Sequence, residues 1–208
     1  MIARTAPQIA GWCFILLLGA PLAAFRQWRE CRRLAHQTNL ASIRSLSWQR
    51  FETLVAEAAA EVGPDRWLGD ELAARYAELC PWPGVASALA PLIAAGVKLG
   101  VATNCSEALA RVAAARVGVR FDAMVTAERA GFYKPDPAPY RLALTELGVA
   151  PERCLFVAGS AFDLIGASRV GLAIWWHDRI GMEKPAEAPE PLRHTRGLEG
   201  LAEFVLGG

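Results

Sequence analysis

Apolar and polar positions give the chain two textures that meet near Cys80. Beyond it, helical spacing alternates with short apolar runs. Val85–Ala95, Glu107–Val117, Pro137–Leu147 and Phe162–Val170 carry apolar residues three and four apart and close at Gly96, Gly118, Gly148 and Gly171. Glycine suits that place because the residue after a helix often takes a left-handed backbone. Between these helices, Val97–Thr103, Phe121–Thr126, Arg153–Ala158 and Leu172–Trp176 are apolar runs of strand length, with Phe121 and Met124 as core positions. Strands separated by helices of about three turns require right-handed crossovers, which predicts a parallel sheet covered on both faces. The polar, proline-rich residues 178–196 predict surface loop, and Leu198–Leu206 predicts a last helix.

Before Cys80 the pattern is helical. Phe51, Leu54, Val55 and Ala58 share one face, Ser47 caps the start and Gly63-Pro64 ends it, and a second helix is predicted over Asp70–Leu79. Residues 26–80 therefore read as a helical subdomain. The uncharged stretch Ile9–Phe25 has three readings. As a membrane segment it is short, broken by Gly19 and Pro21, and its arginines crowd the downstream side, with Arg4 before it and Arg26, Arg29, Arg32 and Arg33 after it. As a buried central strand, Trp12–Leu18 is an apolar run between Gly11 and Gly19. The third reading is that residues 1–40 reflect a misread frame or a wrong start, so that 1–25 stand apart and the α/β core occupies 81–208.

Composition narrows the function classes. A net charge of +1 lacks the basic excess that nucleic-acid binding requires. The five cysteines are scattered, odd in number and without a CxxC pair, so neither a disulfide framework nor a zinc site is indicated, and a reducing, cytoplasmic setting fits. No histidine stands at metal-ligand spacing.

In open α/β sheets the site lies at the carboxyl ends of the strands. That rule selects Thr103 and Asn104, Lys134, Ser160 and Asp163, and His177 with Asp178. Lys134 sits in GFYKPDPAPY, where three prolines restrict the backbone. The same residues also read as a plain helix start, with Asp136 as N-cap and Pro137 in the first turn. Cys105 with His177 as base is a minor nucleophile candidate, against which stands a small residue at a helix start. Trp175 and Trp176 read as packing.

The joint spacing resembles the haloacid dehalogenase-like (HAD) superfamily, and within it the 2-haloacid dehalogenase branch. ATN at 102–104 is similar to the second motif, YKPDPAPY at 133–140 to the third, and FVAGSAFD at 156–163 to the fourth. The resemblance implies a HAD-like Rossmannoid parallel sheet with residues 26–80 inserted as a cap. It implies hydrolytic removal of halide from a short 2-haloacid through an aspartyl ester. Lys134 would orient the nucleophile, Thr103 would bind the substrate carboxylate, and Asn104 with Phe162 would cradle the halide. Asp163 would hold Lys134 and activate water, with Ser160 and Tyr140 completing the hydrogen bonds and Arg44 or Arg33 as the cap arginine. No metal or other cofactor is implied, and the expected partner is a small-molecule substrate, with no nucleic acid or membrane and a homodimer as an open expectation. The chain departs from the dehalogenase branch at Ala158 and Ser160, where that branch often has Ser and Asn, and at the first motif. Ala158 and Gly159 stand where phosphatases of the superfamily carry Gly-Asp, which weighs against magnesium-dependent phosphoryl transfer. The first-motif aspartate is also missing, since no Asp precedes Asp65 and the nucleophile position falls at Ile15 or Leu16. A phosphatase and a non-catalytic relative are the alternatives.

Overall fold

The computed structural model describes residues 12–14, 18–19, 52–53 and 76–207. Its centre is a six-stranded sheet in which every pairing is parallel. In chain order the strands are β1 (Trp12–Phe14), β4 (Leu99–Thr103), β5 (Ala123–Thr126), β6 (Leu155–Ala158), β7 (Ala173–His177) and β8 (Arg193–Thr195), arranged β5-β4-β1-β6-β7-β8. Trp12–Phe14 lies between β4 and β6, so this part of the N-terminal apolar stretch is a central strand, the second of its three readings. Leu18–Gly19 (β2) and Cys80–Pro81 (β3) form a separate antiparallel pair.

Alternation along the buried strands splits the core in two. Phe156, Ala158, Ile174 and Trp176 point to one face, where Tyr140, Ala143, Leu144 and Leu164 cover them. Leu155, Val157 and Trp175 point to the other, against Val85, Leu89, Leu92, Leu201 and Val205. The covering helices are α1 (Val85–Ala94), α2 (Glu107–Val117), a short α3 (Ala127–Ala130), α4 (Pro137–Leu147), α5 (Asp163–Ser168) and α6 (Leu201–Leu206). None of the helices among the described residues is long and apolar enough to cross a membrane.

Two sequence expectations need correction. Within the polar stretch 178–196, Arg193–Thr195 is a strand, not loop. It pairs with β7 and is held by side chains of that strand, for Trp175 Nε1 donates to Thr195 Oγ1 at 2.8 Å and His194 stacks on Trp176 with ring centroids 4.0 Å apart. An edge strand pairs on one side only, so its exposed residues need not be apolar. Met124 is half-buried rather than core, because β5 is the opposite edge, while Ala123 and Val125 face inward. Most of the helical subdomain expected over 26–80 lies outside the described residues, where 52–53 are helical and Tyr76–Glu78 is a single 3-10 turn.

Candidate active site

The carboxyl end of the sheet gathers side chains from three connections. β4 ends at Thr103, and the turn Asn104–Ser106 leads into α2, whose N-cap is Ser106, with its hydroxyl accepting from Leu109 N at 3.4 Å. β5 leads through α3 into the Gly131–Asp136 loop. There Gly131 adopts φ 72°, which ends the short helix and turns the chain towards Lys134. Asp136 then caps α4, accepting from Ala138 N at 2.8 Å, so the helix-start reading of this loop holds alongside any chemical one.

Asn104 fixes the lysine loop from across the rim. Its Oδ1 accepts from Lys134 N at 2.8 Å and its Nδ2 donates to Lys134 O at 3.3 Å, a two-point clamp on one residue's backbone. The Lys134 ammonium then reaches Asp163 Oδ1 at 3.0 Å, with both side chains almost completely buried at 6% and 4% exposure. Tyr140 donates its hydroxyl to the same oxygen at 2.9 Å. Among the described residues, the buried Asp163 Oδ2 has no hydrogen-bond partner. A buried acceptor left open in this way is costly unless a ligand or water completes it.

Close packing makes this triad possible. Gly166, one turn along α5 from Asp163, has no room for a side chain. A Cβ there would lie 2.5 Å from Tyr140 Cε2, 2.6 Å from its hydroxyl and 2.8 Å from Pro135 O. The tyrosine ring therefore approaches the helix backbone closely at Gly166, and its hydroxyl meets the aspartate. Ser160 Oγ accepts from Phe162 N at 3.4 Å in the turn before α5, and Phe162 is half-buried there.

A second cluster, not anticipated from the sequence, adjoins the first. Glu52 accepts a short hydrogen bond from Ser106 Oγ, and the Tyr76 hydroxyl and Cys105 thiol lie 3.3 Å apart. Cys105 N donates to Thr103 Oγ1 at 3.3 Å. Burial pushes the Tyr76 hydroxyl and the Cys105 thiol up, and it pushes the Tyr133 hydroxyl up with the Glu52 carboxylate adding to the effect. All three groups therefore keep their protons at neutral pH. For Cys105 this removes the thiolate that a nucleophile needs.

Of the residues that the strand-end rule selects, Thr103, Asn104, Lys134, Ser160 and Asp163 lie in the connections at this end of the sheet, joined by Tyr140 and Phe162, which only the resemblance named. His177 and Asp178 serve structure instead. His177 is buried, and Asp178 accepts from Met182 N at 2.7 Å and hydrogen-bonds His194 at 3.1 Å. Arg44, Arg33 and the nucleophile position at Ile15 or Leu16 lie outside the described residues. Among the described residues no group of three or more His, Cys, Asp or Glu side chains could hold a metal ion. What the sequence missed was Glu52, Tyr76 and Ser106, because a contact spanning 54 residues has no local spacing. Gly166 carried a faint signal, as a glycine inside a helix is disfavoured unless something must approach it.

Comparisons with known proteins agree with this geometry. A family model described as haloacid dehalogenase-like hydrolase matches residues 16–171. The (S)-2-haloacid dehalogenase H-109 of Pseudomonas putida is 29% identical, the match covering 65% of this chain and 62% of the relative. The (S)-2-haloacid dehalogenase 4A of Burkholderia cepacia is 31% identical over 66% of this chain and 59% of the relative. The chain thus spans about three-fifths of the length of these curated relatives. The structure of the L-2-haloacid dehalogenase from Xanthobacter autotrophicus with chloropropionic acid covalently bound superposes with a TM-score of 0.77 at 22% identity, covering 95% of this chain and 97% of that one, which shows a common fold. With a family model covering most of its length and the fold in agreement, the chain belongs to the haloacid dehalogenase-like hydrolases.

Proposed function

We propose that the site is built to remove halide hydrolytically from a short 2-haloacid. The observation that carries this reading is the buried Lys134–Asp163 pair with Tyr140 on the same oxygen, set beside Thr103 and Asn104 at the strand ends. Thr103 binds the substrate carboxylate, and Asn104 and Phe162 line the halide cradle. A carboxylate at the first-motif position, where this chain carries Ile15 or Leu16, would attack C2, the carbon-halide bond breaking with its electron pair leaving on the halide as an ester forms. Water then adds to the ester carbonyl, giving up a proton towards the open Oδ2 of Asp163, and the 2-hydroxyacid leaves as the carboxylate is regenerated. Lys134 holds the negative charge of the attacking group, and Ser160 positions the water. Arg44 supplies the halide grip from a cap over residues 26–80, in a cytoplasmic homodimer acting on a small molecule.

The absence of any aspartate before Asp65 favours a second reading, a non-catalytic binder of the same acid. Halide release from (S)-2-chloropropionate separates the two, measured for the chain and for Ile15→Asp and Leu16→Asp. Release only after an aspartate is introduced supports a catalytic rim that lacks its nucleophile, binding of the acid without release from any of the three supports the binder, and release by the unaltered chain contradicts both. No release from any of the three, together with turnover of phosphate esters in magnesium, would sink both in favour of a phosphatase.

A further inference from the structure

The turn Thr103–Ser106 is pinned at every residue by a side chain. Thr103 Oγ1 accepts from Cys105 N at 3.3 Å, and Asn104 clamps Lys134. Cys105 meets the Tyr76 hydroxyl at 3.3 Å, and Ser106 donates to Glu52. The first two contacts stay within the α/β core, whereas the last two reach residues that precede it in the chain. The strut that carries Tyr76 is itself anchored on the same helix, since Arg116 Nε donates to Leu79 O at 2.9 Å just beyond the 3-10 turn Tyr76–Glu78. Helix α2 is therefore held from outside both at its first turn and near its end.

The chemistry of these contacts suits fixing a turn rather than attacking a substrate. A carboxylate beside a helix N-terminus interacts favourably with the exposed N–H groups there. Ser106, 1% exposed, has its hydroxyl oriented from two sides, donating to Glu52 while accepting from Leu109 N. Tyr76 and Cys105 both keep their protons, so their contact stays neutral.

We propose that Glu52 and Tyr76 are positioning residues, acting through Ser106 and Cys105 to hold the Thr103–Asn104 edge in its substrate-binding place. The link to substrate rests on the 2-haloacid reading above, while the ordering of the turn does not. Two readouts separate them: calorimetric affinity for (S)-2-chloropropionate, and amide hydrogen exchange of peptides spanning 103–109. Glu52→Ala leaves the Ser106 hydroxyl without its acceptor and weakens binding about tenfold while speeding exchange in the turn. Glu52→Gln retains an acceptor oxygen and restores both. Tyr76→Phe loses a weaker contact to sulfur and costs about threefold, and it serves if Glu52→Ala does not fold.

A lower melting temperature in Glu52→Ala with unchanged affinity and unchanged local exchange would overturn the proposal, as would faster exchange without loss of affinity. If the unaltered chain binds no 2-chloropropionate while Glu52→Ala still loosens the turn and Glu52→Gln restores it, the 2-haloacid reading fails and the positioning role stands.

Discussion

At the scale of single residues, Asp163 is the pivot. One oxygen is shared by an ammonium and a phenol, and the other meets no hydrogen-bond partner among the described residues. Both charges of the pair are buried, so each compensates the other's desolvation. Removing one partner of such a pair leaves an uncompensated charge and costs about 3–5 kcal/mol. Lys134→Met is expected to lower the unfolding free energy by that order, measured by urea denaturation. The double variant Lys134→Met/Asp163→Asn should recover part of the loss, because the stranded charge is gone. Equal losses in single and double variants would show that the pair is not coupled. Neither partner is within sequence reach of the other, yet both were legible, since each lies in the connection that follows a strand and the strand-end rule collects such positions.

At the scale of elements, the connections do more than join strands. Ser106 caps α2 and Asp136 caps α4, so the same turns that present Thr103 and Lys134 to the rim also start the helices that hold them there. Helix starts and candidate chemistry coincide, which is why the sequence alone left both readings of the lysine loop open. β8 shows the opposite case. Its residues are polar and among the described residues its one neighbour is β7, so no run of apolar positions announced it. Beside its backbone pairing, the Trp175–Thr195 hydrogen bond and the Trp176–His194 stack join it to β7. Thr195→Val keeps the side-chain shape and leaves the indole N–H without its acceptor. Amide exchange in 192–196 should quicken about tenfold, read by mass spectrometry, with β6 unaffected. Unchanged exchange at 192–196 would mean that backbone pairing alone secures the strand.

At the scale of the whole molecule, stability should depend on pH through His177. Burial pushes the proton affinity of this imidazole down, and the Arg179 guanidinium adds to the effect. The folded protein therefore holds His177 neutral, while in the unfolded chain it takes up a proton near its ordinary value of about 6.5. Stability from this group is complete above that value and falls as pH drops through it towards the lower folded value, because the unfolded state then binds more protons. Thermal unfolding of wild type against His177→Gln between about pH 7.5 and 5.5 checks this. The wild type should lose more stability on acidification than the variant, and parallel curves would refute the assignment.

The sequence by itself determined the repeating order of helices and strands beyond Cys80, the parallel sheet, and a rim of Thr103, Asn104, Lys134 and Asp163, because each of these follows from local periodicity, glycine and proline placement and one topological rule. It could not choose among the readings of the N-terminal apolar stretch, since a short apolar run is equally compatible with membrane, strand or stray sequence until it has neighbours. Pairing with β4 and β6 makes a strand of Trp12–Phe14. Tertiary structure alone decided which residues meet: that Tyr140 and Lys134 share one oxygen of Asp163, that Gly166 makes room for the ring, and that Glu52 and Tyr76 reach the turn after β4. Those contacts depend on distances between segments far apart in the chain, and hydrophobic spacing encodes only which face a residue takes, not what it will find there.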